Sequence, residues 1–161
     1  MSETIGPEHI YDLISVTQPS VSPDGKLVAY ARSEIDRDAM VVTTRIMMAS
    51  LPGGEARAFT HGRGDSEPRF SPNGKWLTFV RKGGSGSKQL WIMPVGGGES
   101  RQLTDAPGGA GEHAWSPDSR RIVFVSDVDP GDSDEGESDD EVKVARRIRY
   151  RVDGKGWRGD A

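Results

Sequence analysis

Three histidines, His9, His61 and His113, are the first residues to weigh for chemistry, because an imidazole can ligate a metal or move a proton near neutral pH. None stands in a spacing such as His-Glu-x-x-His that would bring two ring nitrogens to one ion. Each reads as an ordinary surface or turn residue. A serine nucleophile is suggested by GGSGS from Gly83, but Ser87 occupies the place of the last glycine in Gly-x-Ser-x-Gly. The run at residues 96–98, three glycines, lacks the lysine of a phosphate loop and the strand-to-helix setting of a dinucleotide site, so both stretches read as loops between strands.

Calcium chemistry fails on register. Residues 127–141 hold nine acidic and no basic side chains, yet an EF-hand loop needs glycine sixth and glutamate twelfth. Counting from Asp132 the twelfth residue is Lys143, and counting from Asp129 the sixth is Asp134. Nine like charges repel and bury nothing, which predicts a solvated, disordered loop. Two Arg-Gly-Asp triplets, at Arg63 and Arg158, read as coincidence in a chain rich in all three residues. The expectation is therefore no catalytic residue, no cofactor-binding residue, no metal ligand and no cofactor.

Charge narrows the partners. Residues 1–126 carry 14 basic and 14 acidic side chains, and residues 142–161 carry seven basic and two acidic. The basic end follows an acidic run able to neutralise it, so nucleic acid is not an expected partner. No stretch approaches the roughly 18 apolar residues of a membrane span, and the N-terminus lacks a basic region followed by an apolar core. Cysteine is absent, which removes disulfides and thiolate metal sites. A soluble, cytoplasmic protein with no membrane partner is expected.

What positions these residues is a repeat. PSVSPDGKLVAYARS from Pro19, PRFSPNGKWLTFVRK from Pro68 and HAWSPDSRRIVFVSD from His113 align, with Ser22, Ser71 and Ser116 spaced by 49 and 45 residues. LPGGEARAFT from Leu51 and VGGGESRQLT from Val95 repeat in phase, 44 residues apart. Two motifs with one period in this range are the mark of four-stranded propeller blades. In Ser-Pro-Asp-Gly, proline presets the first corner, Asp or Asn tolerates the second, and glycine supplies positive φ, so the chain reverses into a hairpin. Ser119 replaces that glycine in the third copy, a penalty of about 1 kcal/mol if the position is left-handed.

The strands after these turns are apolar on both faces: Leu27, Ala29 and Ala31 alternate with Val28 and Tyr30, Leu77 and Phe79 with Trp76 and Val80, and Val123 and Val125 with Ile122 and Phe124. Such strands must be covered on both sides, as in blades stacked around an axis. Further strands are expected at 43–50 and 88–95, with more polar outer strands at 55–60 and 99–104 that resist edge pairing. At the head, Gly6-Pro7-Glu8 predicts a helix start, and Ile10, Leu13 and Ile14 would share one face of a short amphipathic helix.

The expected fold is all-β: a partial β-propeller of about three four-stranded blades, the third incomplete, with a short N-terminal helix. Residues 1–18 would form the helix and lead-in, 19–126 the blades, 127–141 an acidic disordered loop, and 142–161 a truncated basic segment continuing the third blade. Rings close with roughly four to eight blades, so the chain reads as a fragment of a longer protein.

The head PEHIYDLISVTQPSVSPDGKLVAY and the end RRIRYRVDGKGWRGD, from Arg146, resemble the corresponding segments of the prolyl oligopeptidase family of serine peptidases, in its acylaminoacyl peptidase and dipeptidyl aminopeptidase branch. The Ser-Pro-Asp-Gly repeat alone is shared with TolB-type propellers. The resemblance implies a peptidase of short peptides whose C-terminal α/β-hydrolase domain holds a Ser-Asp-His triad under the propeller. That domain and its peptide substrates would be the partners, with homo-oligomerisation left open. No triad residue is carried over, because the matching positions lie beyond Ala161, and the chain alone should be inactive. The alternatives are a TolB-type interaction module without enzymatic activity and a non-functional truncated remnant.

Overall fold

Each Ser-Pro-Asp/Asn turn is closed by the same set of hydrogen bonds. Ser22 Oγ donates to Asp24 Oδ1 at 2.7 Å while accepting the Leu27 N–H at 2.9 Å, and Asp24 Oδ1 also accepts the Lys26 N–H at 3.1 Å. Ser71, Asn73 and Trp76 repeat the arrangement, as do Ser116, Asp118 and Arg121. The serine hydroxyl is both donor and acceptor, and the short carboxylate or amide holds the turn's backbone. Gly25 and Gly74 sit at φ 71° and 69°. Ser119 takes the same left-handed position at φ 59°, and its Oγ accepts the Asn73 N–H at 3.0 Å from the neighbouring turn.

Backbone relief and that bond oppose each other, which makes two variants informative. Ser119→Gly should gain less than about 1 kcal/mol, because lost strain is offset by the lost bond. Ser119→Ala keeps the strain and loses the bond, so it should destabilise by about 0.5–1.5 kcal/mol. Urea midpoints of the two variants, compared at equal slope, check the difference.

The computed structural model describes residues 6–83 and 86–127, with the backbone at 151–152 and 156–157. A first four-stranded antiparallel sheet contains β1 (Ser15–Val21), β2 (Leu27–Asp36), β3 (Val41–Ser50) and β4 (Arg57–Ala58) in that order. A second contains β5 (Ser66–Phe70), β6 (Trp76–Lys82), β7 (Lys88–Pro94) and β8 (Arg101–Gln102). A third begins with β9 (His113–Trp115) and β10 (Ile122–Phe124). These are two blades and the inner pair of another, the all-β partial propeller expected.

Met1–Ser126 is one unit and Asp127–Ala161 another. In the latter, β11 (Arg151–Val152) pairs antiparallel with β12 (Gly156–Trp157). The rest of the acidic run after Asp127 and of the basic segment lies outside the described residues.

The motif threonines explain why Gly-Gly-Glu-x-Arg-x-x-Thr repeats. Thr60 Oγ1 accepts the Ile46 N–H and Thr104 Oγ1 accepts the Leu90 N–H, each at 3.0 Å. Thus each outer segment ends by capping a main-chain donor of the strand beside it. The strands named by that segment are shorter than expected, two residues each, although the Phe59 N–H still donates to the Ile46 carbonyl and the Leu103 N–H to the Leu90 carbonyl, each at 2.8 Å.

Side-chain alternation sorts the blade faces. Ala29, Ala31, Ile46, Met48 and Phe59 of the first blade pack against Phe70, Leu77, Phe79 and Met93 of the second. The opposite face of the second blade, with Val80 and Leu90, meets Ala110 and Ile122 of the third. Leu77 and Phe79 are fully buried, and burial of such a side chain stabilises by about 1.5–3 kcal/mol. The second blade has both faces covered; on β10 and the residue after it, Val123 and Val125 stay 70% and 61% exposed.

The head departs from the amphipathic expectation. Pro7–Asp12 is a 3-10 helix, and Leu13 is already extended. Three residues per turn, and an end before Ile14, break the 3.6-residue spacing that would have put Ile10, Leu13 and Ile14 on one buried face. All three are more than half exposed.

Candidate functional site

The seam between the first two blades is built around Arg81. Its place on β6, in alternation with Leu77 and Phe79, aims it at the first blade. A guanidinium there needs a partner, and Asp65, fully buried, supplies it with two bonds: Nε to Oδ1 at 2.6 Å and Nη2 to Oδ2 at 2.8 Å. Nη1 donates to Ser100 Oγ at 3.1 Å, and the guanidinium carbon lies 5.0 Å from the ring centroids of both Phe79 and Trp91. The Asp65 carboxylate raises Arg81 above its ordinary range, outweighing desolvation.

Asp65 is placed by the chain that crosses from one blade to the next. Its N–H donates to the Thr44 carbonyl at 3.0 Å, and the Thr44 N–H donates to the Arg63 carbonyl at 3.1 Å. Its Oδ2 also accepts the Gly62 N–H at 3.2 Å. A Cβ on residue 62 would overlap the Asp65 carboxylate, so this position needs glycine for close approach rather than for backbone freedom. The Arg63 triplet therefore has its aspartate locked inside the seam, which is incompatible with an adhesion loop. The Arg158 triplet lies outside the described residues.

An open cleft of about 360 Å³ adjoins Arg81, with Phe59 and Met93 as apolar lining and His61, Ser100 and Gly98 among its polar and backbone surfaces. Asp65 neutralises the arginine, so the cleft presents no net charge from this pair.

The second seam carries a buried polar node. Thr78 Oγ1 donates to the Arg69 carbonyl at 3.2 Å, accepts Trp115 Nε1–H at 3.0 Å, and lies 2.9 Å from His113 Nε2. The tautomer of the neutral ring follows from whether the Arg69 carbonyl or His113 Nε2 takes the single Thr78 hydroxyl proton. Nδ1 has no partner of good geometry. Desolvation, aided by the charge of Arg69, lowers His113 to about 4 against a weaker opposing effect of the Gly111 backbone. His113 is thus a core residue, contrary to the surface reading, because β9 turns it toward the second blade with Trp115.

The other residues weighed for chemistry stay apart from it. His9 Nδ1 bonds the Gly6 backbone in the 3-10 helix, and His61 is exposed at the cleft. Gly83 and Ser87 close the tip between β6 and β7, and Gly97 donates to the Pro94 carbonyl in a turn. Among the described residues no group of three or more His, Asp or Glu side chains could hold a metal, and no helix is long and apolar enough to cross a membrane.

One paired feature was absent from the sequence reading. β1 and β5 carry the same irregularity, with Gln18 and Glu67 both left-handed at φ 55° and 54°, each four residues ahead of its turn serine. Gln18 Oε1 accepts the Glu67 N–H at 2.9 Å, joining the two first strands where each bends.

Comparison with known proteins agrees with this architecture. The model of the TolB β-propeller domain matches residues 10–134. The uncharacterized peptidase YuxL of Bacillus subtilis is 34% identical over 163 residues, covering 97% of this chain and 25% of its own length. Dipeptidyl-peptidase 5 of Porphyromonas gingivalis is 33% identical over 156 residues, covering 96% and 23%. The acylaminoacyl peptidase of Pyrococcus horikoshii superposes with a TM-score of 0.69 at 22% identity, over 92% of this chain and 22% of that one. The chain spans about a quarter of the length of these curated relatives. With two turn motifs in phase, matching seams and the family model over residues 10–134, the chain belongs to the TolB β-propeller domain family.

Proposed function

We propose that this chain is the opening, non-catalytic part of a propeller that covers the active site of a serine peptidase and restricts access to short peptides. The observation that carries the reading is the alignment of 96–97% of this chain with only 23–25% of two peptidases. The seams fit this role: Asp65 neutralises Arg81, and His113 is held as a neutral hydrogen-bonding group. Rigid blades without reactive groups suit a lid. The hydrolase domain, with an activated serine beside an oxyanion hole, would be carried by the remaining length of the polypeptide. Names among the relatives favour substrates with a free dipeptide or an acylated residue at the N-terminus.

The test compares the purified 161-residue chain with the polypeptide extended to the length of the relatives, using dipeptidyl and acylaminoacyl chromogenic substrates. The extended form should hydrolyse at least one, prefer short peptides over long ones, and lose activity on replacing its nucleophilic serine; the short chain should be inactive. An extended form inactive on all of them would favour the second reading, a TolB-type interaction module, which the family match itself supports.

A further inference from the structure

Four methionines stand among the described residues, and three of them belong to the core. Met47, Met48 and Met93 are 7%, 2% and 9% exposed, whereas Met40, at the tip of the hairpin between β2 and β3, is 67% exposed. A thioether is a soft nucleophile, so the exposure of its sulfur decides how fast an oxidant reaches it. The turn itself holds Met40 out. Asp36 Oδ1 accepts the N–H groups of Asp38 and Ala39 at 3.1 and 3.0 Å, and Met40 follows at a left-handed φ of 53°.

That sulfur already has a partner. Met40 Sδ accepts the Tyr11 hydroxyl at 3.6 Å, the longer distance expected of a weak thioether acceptor. The Arg37 guanidinium lies 5.1 Å from the centroid of the Tyr11 ring, and its Nη2 donates to Asp12 Oδ1 at 2.6 Å. Tyr11 and Asp12 end the 3-10 helix, while Arg37 and Met40 belong to the hairpin tip, so these four side chains tie the head to the first blade. Ile10 within the helix, with Leu13 and Ile14 after it, stays more than half exposed and adds little anchorage.

We propose that Met40 is a site of reversible oxidation by peroxides, and that its sulfoxide releases the 3-10 helix from the hairpin tip. A sulfur lone pair attacks one oxygen of hydrogen peroxide, and the S–O bond forms as the O–O bond breaks. The displaced hydroxide takes the proton of the transferred oxygen and leaves as water; sulfur loses two electrons and the peroxide gains them. The Tyr11 hydroxyl occupies one of the two sulfur lone pairs, so the oxidant takes the other and one sulfoxide epimer forms in excess. Its oxygen points away from Tyr11, and the electron-poor sulfur left behind is a poorer acceptor, so the tie is lost. A sulfoxide reductase specific for that epimer reverses the change. The site stands independently of the peptidase reading.

Hydrogen peroxide is the probe, applied both to the 161-residue chain and to the polypeptide extended to the relatives' length. Peptide mass mapping should find the sulfoxide of Met40 forming at least about tenfold faster than those of Met47, Met48 and Met93 in both. One of the two epimer-specific reductases should restore most of it and the other little. In Tyr11→Phe, which keeps a ring beside Arg37, either enzyme should restore about half. Release is read from hydrogen exchange at the His9 and Leu13 amides, which donate within the head at 3.1 and 3.3 Å. Oxidation should speed that exchange several-fold, the reductase should return it, and Tyr11→Phe should be fast before any peroxide is added. Equal rates at the four methionines, or a Met40 that is unreactive in the extended form, overturn the site. An epimer ratio that Tyr11→Phe leaves unchanged overturns the shielding by Tyr11, and exchange unmoved by oxidation overturns the release.

Discussion

Asp65→Ala should destabilise the blades by about 3–5 kcal/mol, because it strands the Arg81 guanidinium in a seam with one hydroxyl and two aromatic rings for company. The Gly62 N–H loses its acceptor in the same step. A loss of that size is a large part of the 5–15 kcal/mol that typically separates folded from unfolded chains. The remedy distinguishes a buried charge from lost packing. Combining Asp65→Ala with Arg81→Met removes both charges and keeps an apolar stem beside the Phe79 and Trp91 rings, so the double variant should recover most of the loss. Urea unfolding of the four proteins gives the coupling directly. A single variant costing less than about 1 kcal/mol would mean that water in the adjoining cleft solvates the unpaired Arg81 charge.

Acid should loosen the other seam first. His113 is lowered to about 4 by burial and by Arg69, whereas an unfolded histidine titrates near 6.5. Below pH 6.5 the unfolded chain takes up a proton that the folded one refuses, so stability falls as pH drops from 6.5 and the loss is complete near 4. At about 1.4 kcal/mol per unit, the maximum is roughly 3 kcal/mol. Asp24 and Asp118 are also lowered, chiefly by the hydroxyls of Ser22 and Ser116 and then by the N–H groups of Lys26 and Arg120. Their sign is the same but their window is lower: their stabilisation is present above the ordinary 3.8 and is lost as pH falls through their depressed values. Unfolding free energies between pH 7 and pH 4 therefore isolate the histidine. His113→Gln, which can still donate to Thr78, should flatten that slope. An unchanged slope would assign the acid response elsewhere.

Much of the architecture was legible because the turns are written in short motifs. Ser22, Asp24 and Gly25 act within six residues of one another, and the same chemistry recurs at Ser71 and Ser116, so both period and hairpins could be read directly. The seams were not legible in that way. Asp65 reaches Arg81 across sixteen residues and belongs to no repeat: the equivalent positions are Val16 and Ala110. One signal was available, an arginine in alternation with Leu77 and Phe79, which demanded a buried acid without naming it. His113 was likewise marked by its alternation with Trp115 on a strand leading into the third turn. The short helix at the head was legible but its 3-10 form was not, since three spaced apolar residues fit an α-helical face as well as a short turn whose apolar side chains remain outside.

The most direct measurement is to follow the reading frame past codon 161. The account predicts further Ser-Pro-Asp-Gly turns at about 45-residue spacing and then a Gly-x-Ser-x-Gly motif with later Asp and His. A stop immediately after Ala161 would contradict it, leaving a TolB-type propeller fragment to which the peptidase reading does not apply.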